Sequence, residues 1–371
     1  LSNRSANVNV FEPFGLLNVS KPRSKTSFEV VGLLRKLLHV KKVGHTGTLD
    51  PIASGVLLLC VGRATRLLDY LMGLPKSYVA WMKLGVTTDT LDSTGKVLEV
   101  REVPEFSSED IEPVLNQFRE HIKQVPPMFS AIKRDGKKLY VLARQGVQTS
   151  VEPRDVTIHE LELQSLSRST VQLGISCSKG TYIRSLCADI GEKLGCGAHV
   201  FRLHRTKIGV WGIDDALPYS RVFALSRDEI LDKLEPIEHI LPEFVRGEVS
   251  PTAEHYALNG LSIDIDQVRL TSDVSVGDPV ILRTWRGELI GIFRATEPSA
   301  DDLVRRPSLP MVLKAEKVLL TSSPPKSYPT RDTKPSYPAR SKRPYDKNRG
   351  SGRGGRSRRY SGGRPPSTHS Q

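Results

Sequence analysis

Thirteen residues, Val43 to Gly55, read VGHTGTLDPIASG and hold three glycines, a histidine, a proline and one carboxylate, Asp50. A lone acid on such a segment is placed to react, because Gly admits positive φ and close approach while Pro51 drives Asp50 towards extended backbone. The plainer reading is a turn, since Asp before Pro commonly initiates one. The next segment favours chemistry. VLLLCVG, from Val56 to Gly62, is an apolar run of strand length, expected to be buried on both faces. The acid is thus expected on a short constrained loop that feeds straight into the core, the usual way of bracing a reactive side chain.

The flanking sequence supplies the elements needed to hold that loop. GLLNVSKP (Gly15 to Pro22) reads as a strand ending at a Lys-Pro turn. Thr26 and Glu29 form a capping box for a helix through Leu38, with Val30, Leu33, Leu34, Leu37 and Leu38 at helical spacing. Arg63 and Arg66 open a short helix and are either phosphate contacts or solvated surface cations. KSYVAWMKLGV (Lys76 to Val86) alternates like a strand. DTLDSTG (Asp89 to Gly95) turns the chain into KVLEVREV, and its acids have the look of a metal loop without enough ligands to support one. Ser108 is expected to cap a helix to Phe118. VTIHELELQSL and STVQLGISCSKG read as strands. TYIRSLCADIGEKLG reads as a helix with Ile183, Leu186, Cys187, Ile190 and Leu194 buried, stopped by Gly195. Ser226 and Glu229 form a further capping box.

Four motifs in order make the chain similar to the TruB family of tRNA pseudouridine synthases. The first is the family's G-H-x-G-x-L-D-P signature, present here as Gly44, His45, Gly47, Leu49, Asp50 and Pro51. Lys21-Pro22 resembles its K-P element, and Gly180-Thr181-Tyr182-Ile183-Arg184 its G-T-Y-I-R element. The Lys/Arg-rich stretch from His121 to Gly146 resembles an insertion that clamps RNA, through Gln124, Pro126, Pro127, Ser130, Ala131 and Lys133, then Gly136, Lys137, Leu139, Tyr140, Ala143, Arg144 and Gly146. The resemblance spans about Gly15 to Trp211.

The resemblance implies an α+β fold: a mixed-sheet pseudouridine synthase domain over 15–245, with a thumb insertion at about 121–150. It also implies the reaction, in which uracil is detached from its ribose, rotated and rejoined through carbon. Such an isomerisation needs a carboxylate nucleophile and a uridine drawn out of its stack. It needs no cofactor or metal. By the same resemblance the catalytic residues are Asp50, Tyr78 and Arg184. Arg184 would pair with the aspartate, and Tyr78 would stack on the target base and relay a proton. His45, Tyr182, Leu203, Lys21, Lys133 and Lys179 would bind substrate. The expected partner is the T-arm of tRNA, modified at position 55 by a cytoplasmic monomer. Two other readings remain open at this point: a tRNA-folding chaperone that needs no chemistry, and a guide-dependent synthase.

Bulk composition fits this picture. The 371 residues allow two domains, and strand-rich segments over 246–320 read as a small β-domain resembling a PUA-like RNA-binding module. Net charge is +13, but residues 322–371 hold 4 Lys and 9 Arg against 2 Asp and no Glu, leaving about +2 for the rest. From Thr321 the chain has no Ile, Leu, Val, Phe, Met or Trp and ends in Arg, Gly and Tyr, as disordered binders of single-stranded RNA do. Residues 1–14 read as a disordered lead without the apolar core of a secretion signal. No apolar run approaches the ~20 residues of a membrane helix. Cys60, Cys177, Cys187 and Cys196 form no C-x-x-C pair and read as reduced structural thiols.

Overall fold

A computed structural model describes residues 13–130, 132–134, 136–147, 151–236, 244–305 and 308–320. The lead to residue 12 and the basic tail from residue 321 lie outside the described residues.

β1 (Gly15–Lys21) is followed by α1 (Ser27–Leu38), which starts at the expected Thr26–Glu29 capping box and stops where His39 turns left-handed. β2 (Val43–His45) enters the Asp50 loop and β3 (Ala53–Val61) leaves it. Every residue of β3 from Val56 to Val61 is 0% exposed. Leu57, Leu59 and Val61 pack with α1, whereas Val56, Leu58 and Cys60 pack with Leu67, Leu71 and Trp211. Full burial of a Leu or Val side chain contributes about 1.5–3 kcal/mol. The strand carrying the loop is therefore a firm anchor.

After a 3₁₀ turn, α2 (Leu68–Gly73) leads to β4 (Lys76–Leu84), and β5 (Val86–Thr88) pairs with β6 (Val97–Val100). α3 (Ser108–Asn116) is capped by Ser107, one residue earlier than expected, and ends before Phe118. The reason is reciprocity. Ser107 has Asp110 three residues on to return its hydrogen bond, whereas Ser108 would have Ile111. β7 (Glu120–Gln124) precedes the thumb segment, where β8 (Lys133–Arg134) and β9 (Lys137–Lys138) pair ahead of α4 (Leu139–Arg144). The two expected strands are β10 (Arg154–Ser167) and β11 (Thr170–Cys177). α5 (Ile183–Lys193) buries Ile183, Leu186, Cys187 and Ile190 of the expected stripe, while Leu194 is its half-buried C-cap and Gly195 follows at φ +83°.

β12 (Ala198–Ile208), β13 (Trp211–Gly212), β14 (Leu217–Pro218), α6 (Tyr219–Val222) and α7 (Arg227–Leu231) complete this part, α7 starting at the Ser226–Glu229 box. Among the described residues ten strands form one mixed sheet. Its path is β14-β1-β3-β12-β4-β11-β10-β7, with β2 on β3 and β13 on β12. β12 runs near the middle, parallel to β3 and antiparallel to β4. Ala80, Met82, Leu173 and Ile175 of this sheet pack against Ile183, Leu186 and Ile190 of α5.

The C-terminal part is β-rich, as its composition indicates. β15 (Val245–Val249), α8 (Pro251–Leu258), β16 (Ile263–Asp264), β17 (Val268–Leu270), β18 (Pro279–Arg283), β19 (Leu289–Thr296), α9 (Ala300–Arg305) and β20 (Val312–Val318) follow in order. Their sheet, ordered β16-β20-β19-β18-β15-β17, has its own core around Val280, Leu282, Phe293 and Leu313. Ile281, Leu289, Ile292 and Leu319 join Leu16, Val56, Leu58 and Leu67 in a shared apolar seam. At its rim Arg63 donates to the Leu319 carbonyl at 2.9 Å and Arg66 to that of Val318. Neither arginine is a simple solvated cation.

Candidate active site

The Asp50 loop is held from three sides, mainly through its own backbone. The Ser27 hydroxyl, at the start of α1, accepts from the Leu49 N–H at 2.9 Å and donates to the Leu49 carbonyl at 3.3 Å. Ser24 N–H donates to the Pro51 carbonyl at 2.7 Å, and Ala53 N–H closes back onto the Asp50 carbonyl at 3.0 Å. From beneath, Arg205 of β12 donates to the carbonyls of Val56 (2.7 Å), Gly47 (3.0 Å) and Thr48 (3.4 Å). Satisfied this way, the backbone of a loop can be buried. Of the three glycines in the motif, only Gly55 has positive φ, at +106°. A Cβ there would lie 2.1 Å from the Arg205 carbonyl oxygen, so only glycine fits between β3 and β12.

Arg184, in the first turn of α5, is the hub. Its Nε meets Asp50 Oδ2 at 2.9 Å, and Nη1 lies 3.5 Å from Asp92 Oδ2. Nη1 also donates to the Thr90 carbonyl at 2.8 Å and Nη2 to the Phe129 carbonyl at 2.9 Å. The Arg184 and Asp92 side chains are 5% and 6% exposed, while Asp50 keeps 34%, so the carboxylate facing the cleft is the nucleophile candidate. Desolvation holds the Asp50 carboxyl above its usual range. Arg184 opposes that shift, Asp92 adds to it, and Lys21 also opposes it.

Asp92 is committed to its own turn and to Arg184. One oxygen takes hydrogen bonds from the Thr90 hydroxyl (2.9 Å), the Thr94 hydroxyl (2.6 Å) and the Thr94 N–H (2.9 Å), and the other faces Arg184. The turn also contains Leu91 at φ +60°, an unusual conformation for a branched residue. It is held by a backbone bridge between Asp92 and Val200 and by the bonds of Ser93 and Leu91 to Val200.

The remaining expected residues divide into three groups. Tyr78, Tyr182 and Leu203 lie around the aspartate. Leu203 packs in one cluster with Leu49, Ile52 and Ala53, and Tyr78 lies against the same cluster. Burial raises the Tyr78 phenol, the nearby Arg205 charge opposes this, and Asp50 adds to it. Tyr182 is likewise raised first by burial, with Asp50 contributing. His45 sits on β2 with its Nδ1 buried and without a partner, and burial lowers its pKa.

Lys21 differs from its expected substrate role. It is 0% exposed, and its ammonium donates to the carbonyls of Pro22 (3.0 Å), Lys25 (2.6 Å) and Ala53 (2.6 Å). All three protons are spent on backbone, so Lys21 braces the loop from below and has none left for phosphate. Lys179 is exposed in the turn before α5. Lys133 falls on β8, its side chain outside the described residues.

Sequence reasoning missed Asp92, Arg205 and the real work of Gln124. Gln124, expected in the thumb motif, clasps the Tyr182 backbone: its Oε1 accepts from Tyr182 N–H at 2.7 Å and its Nε2 donates to Tyr182 O at 2.9 Å. The signal for Arg205 was present, because strand alternation puts it on the same face as Leu203.

Comparison with known proteins agrees with this geometry. The model of the TruB family pseudouridylate synthase N-terminal domain matches residues 35–183, and that of the tRNA pseudouridylate synthase B C-terminal domain matches 184–242. The tRNA pseudouridine synthase B of Clostridium tetani is 39% identical over 284 residues, which are 76% of this chain and 96% of that protein. The Pseudomonas fluorescens protein of the same name is 42% identical over 287 residues, 76% of this chain and 92% of its own length. Among solved structures, the archaeal box H/ACA sRNP Nop10-Cbf5 complex aligns with TM-score 0.61 at 24% identity, covering 88% of this chain and 92% of that one, a likeness of fold. No described helix is long and apolar enough to cross a membrane. With matched motifs, a shared fold and relatives covered almost end to end, the chain belongs to the TruB family of tRNA pseudouridine synthases.

Proposed function

We propose that this synthase converts the T-loop uridine of tRNA, position 55, to pseudouridine, with Asp50 as the nucleophile. The observation that carries the reading is a partly open carboxylate, Asp50, held at 2.9 Å by a buried arginine that a second carboxylate steadies. The target uridine is flipped out of its stack to reach this carboxylate. Asp50 attacks either the ribose carbon or the base. The bond from ribose to N1 breaks, the uracil turns, a bond from the ribose carbon to C5 forms, and the bond to Asp50 breaks to release the carboxylate. The C5 proton then leaves and N1 gains one, so the product is an isomer of the substrate. Tyr78 stacks on the base and its hydroxyl takes part in removing the C5 proton. Tyr182 and Leu203 line the uracil pocket, and His45 fills the space the flipped nucleotide leaves.

The partner in this reading is the T-arm, gripped by a monomer in the cytoplasm, where mature tRNA circulates. The reading is tested by incubating unmodified tRNA with the pure protein alone and mapping pseudouridine by position. Modification confined to the T-loop site, and lost in Asp50→Asn, is the expected result. Pseudouridine elsewhere would refute the T-loop assignment, and activity retained by the variant would remove Asp50 from the nucleophile's role.

A further inference from the structure

The guanidinium of Arg205 presents an energetic puzzle. It is 1% exposed, and among the described residues no carboxylate lies within 4 Å of it. An unpaired buried charge is costly, so filling this space would be better served by an apolar side chain. Its hydrogen bonds indicate what the charge is for. Nη2 and Nη1 hold the carbonyls of Gly47 and Thr48, ahead of Asp50, and Nε holds that of Val56, beyond it.

Strand register adds a neighbour. Arg205 stands opposite Gly55 on β3 and opposite Tyr78 on β4, where its charge opposes the rise that burial gives the Tyr78 phenol. One planar group thus holds both ends of the nucleophile's loop from a strand position beside Tyr78. The two buried lysines among the described residues do less. Lys76 Nζ donates to Met72 (2.7 Å) and Leu74 (2.6 Å), and Lys21 donates to the turn it belongs to and to Ala53. Neither bridges the loop to Tyr78.

We propose that Arg205 is a positioning residue of the reaction, fixing the Tyr78 hydroxyl relative to the Asp50 loop through the fork of its guanidinium. The proposal rests on the reading of Asp50 and Tyr78 as the reacting pair. Lysine keeps the charge but is a single point on a flexible stem, and cannot hold carbonyls on both sides of the loop at once. A displacement of about 1 Å between reacting groups costs on the order of 10²-fold in rate.

The test compares Arg205→Lys and Arg205→Gln, each alone and combined with Tyr78→Phe, in the full chain. Melting temperature, tRNA affinity and single-turnover rate are read for each. Arg205→Lys is expected to fold, to bind tRNA within about threefold of wild type, and to lose about 10²-fold in rate. In the Tyr78→Phe background the same change is expected to cost less than tenfold, because part of what Arg205 positions is already gone. Three outcomes would each overturn the proposal: equal losses in both backgrounds, wild-type rate in Arg205→Lys, or failure of both variants to fold, which would make Arg205 a core-building residue. Wild-type protein that makes no pseudouridine in tRNA would refute the function itself, a result separate from any of these.

Discussion

Two arginines hold the Asp50 loop, and they work on different principles. Arg184 sits at the start of a helix and meets two carboxylates. Arg205 sits in the middle of a sheet, opposite Tyr78, and its hydrogen bonds among the described residues go to carbonyls. The first sets the charge of the site. The second sets its shape. Losing Arg184 strands two acids in a half-dry cleft, whereas losing Arg205 frees the strands and the loop to shift against each other.

The sharpest way to break this division is Asp50→Asn. Single-turnover incubation with excess protein is expected to yield no detectable pseudouridine. Yet the variant should melt at or above the wild-type temperature at pH 7.5. The fold raises the Asp50 pKa, so the ionised form is favoured less in the folded than in the unfolded chain, and removing it relieves that cost. Arg184 still keeps Asp92 and two carbonyls. A clear drop in melting temperature would mean that Asp50 is a structural counter-ion.

Arg184→Met should follow, losing at least about 10³-fold in rate and about 3–5 kcal/mol in urea unfolding, the range for breaking a buried pair. Adding Asp92→Asn is expected to restore part of the stability and none of the rate. If stability does not recover, Asp92 is not what Arg184 compensates. Tyr78→Phe comes next, with a loss of about 10²-fold in rate and little change in tRNA affinity. A rate within a few-fold of wild type would leave the ring as a stacking surface only.

The smallest effect concerns Lys21. Burial lowers its pKa from 10.5 to about 8, so between those values the unfolded chain holds more protons than the folded one. Stability should therefore rise with pH across that window, and Lys21→Met should flatten the rise. Lys76, lowered to about 8 as well, would supply what remains. Melts of the free protein from pH 7.5 to 10 check this, and an unchanged slope in the variant would show that the Lys21 ammonium is not desolvated.

What could be read in the sequence was whatever is local. The Thr26–Glu29 and Ser226–Glu229 boxes, the doubly buried β3 and the stripe of α5 follow from neighbours within a few residues. The Asp50–Arg184 pair was legible only through resemblance, since 134 residues separate its members. Asp92 and Arg205 escaped for a physical reason. Their roles depend on which strands lie side by side, and β12 enters between β3 and β4 although it follows both by more than a hundred residues. Lys21 misled because a Lys-Pro turn looks the same whether the ammonium points out to phosphate or in to carbonyls.

The seam between the two sheets carries a consequence for how such a chain can diverge. Arg63 and Arg66 take hold of the carbonyl oxygens of Leu319 and Val318, groups that every residue type presents alike. The appended β-domain can therefore exchange most of its surface while keeping its seat, provided that the last strand still ends there and Leu319 remains apolar. The family models stop at residue 242, short of this domain. A docking contact that ignores side-chain identity leaves the module free to drift, and free to acquire new specificity, without disturbing the catalyst that carries it.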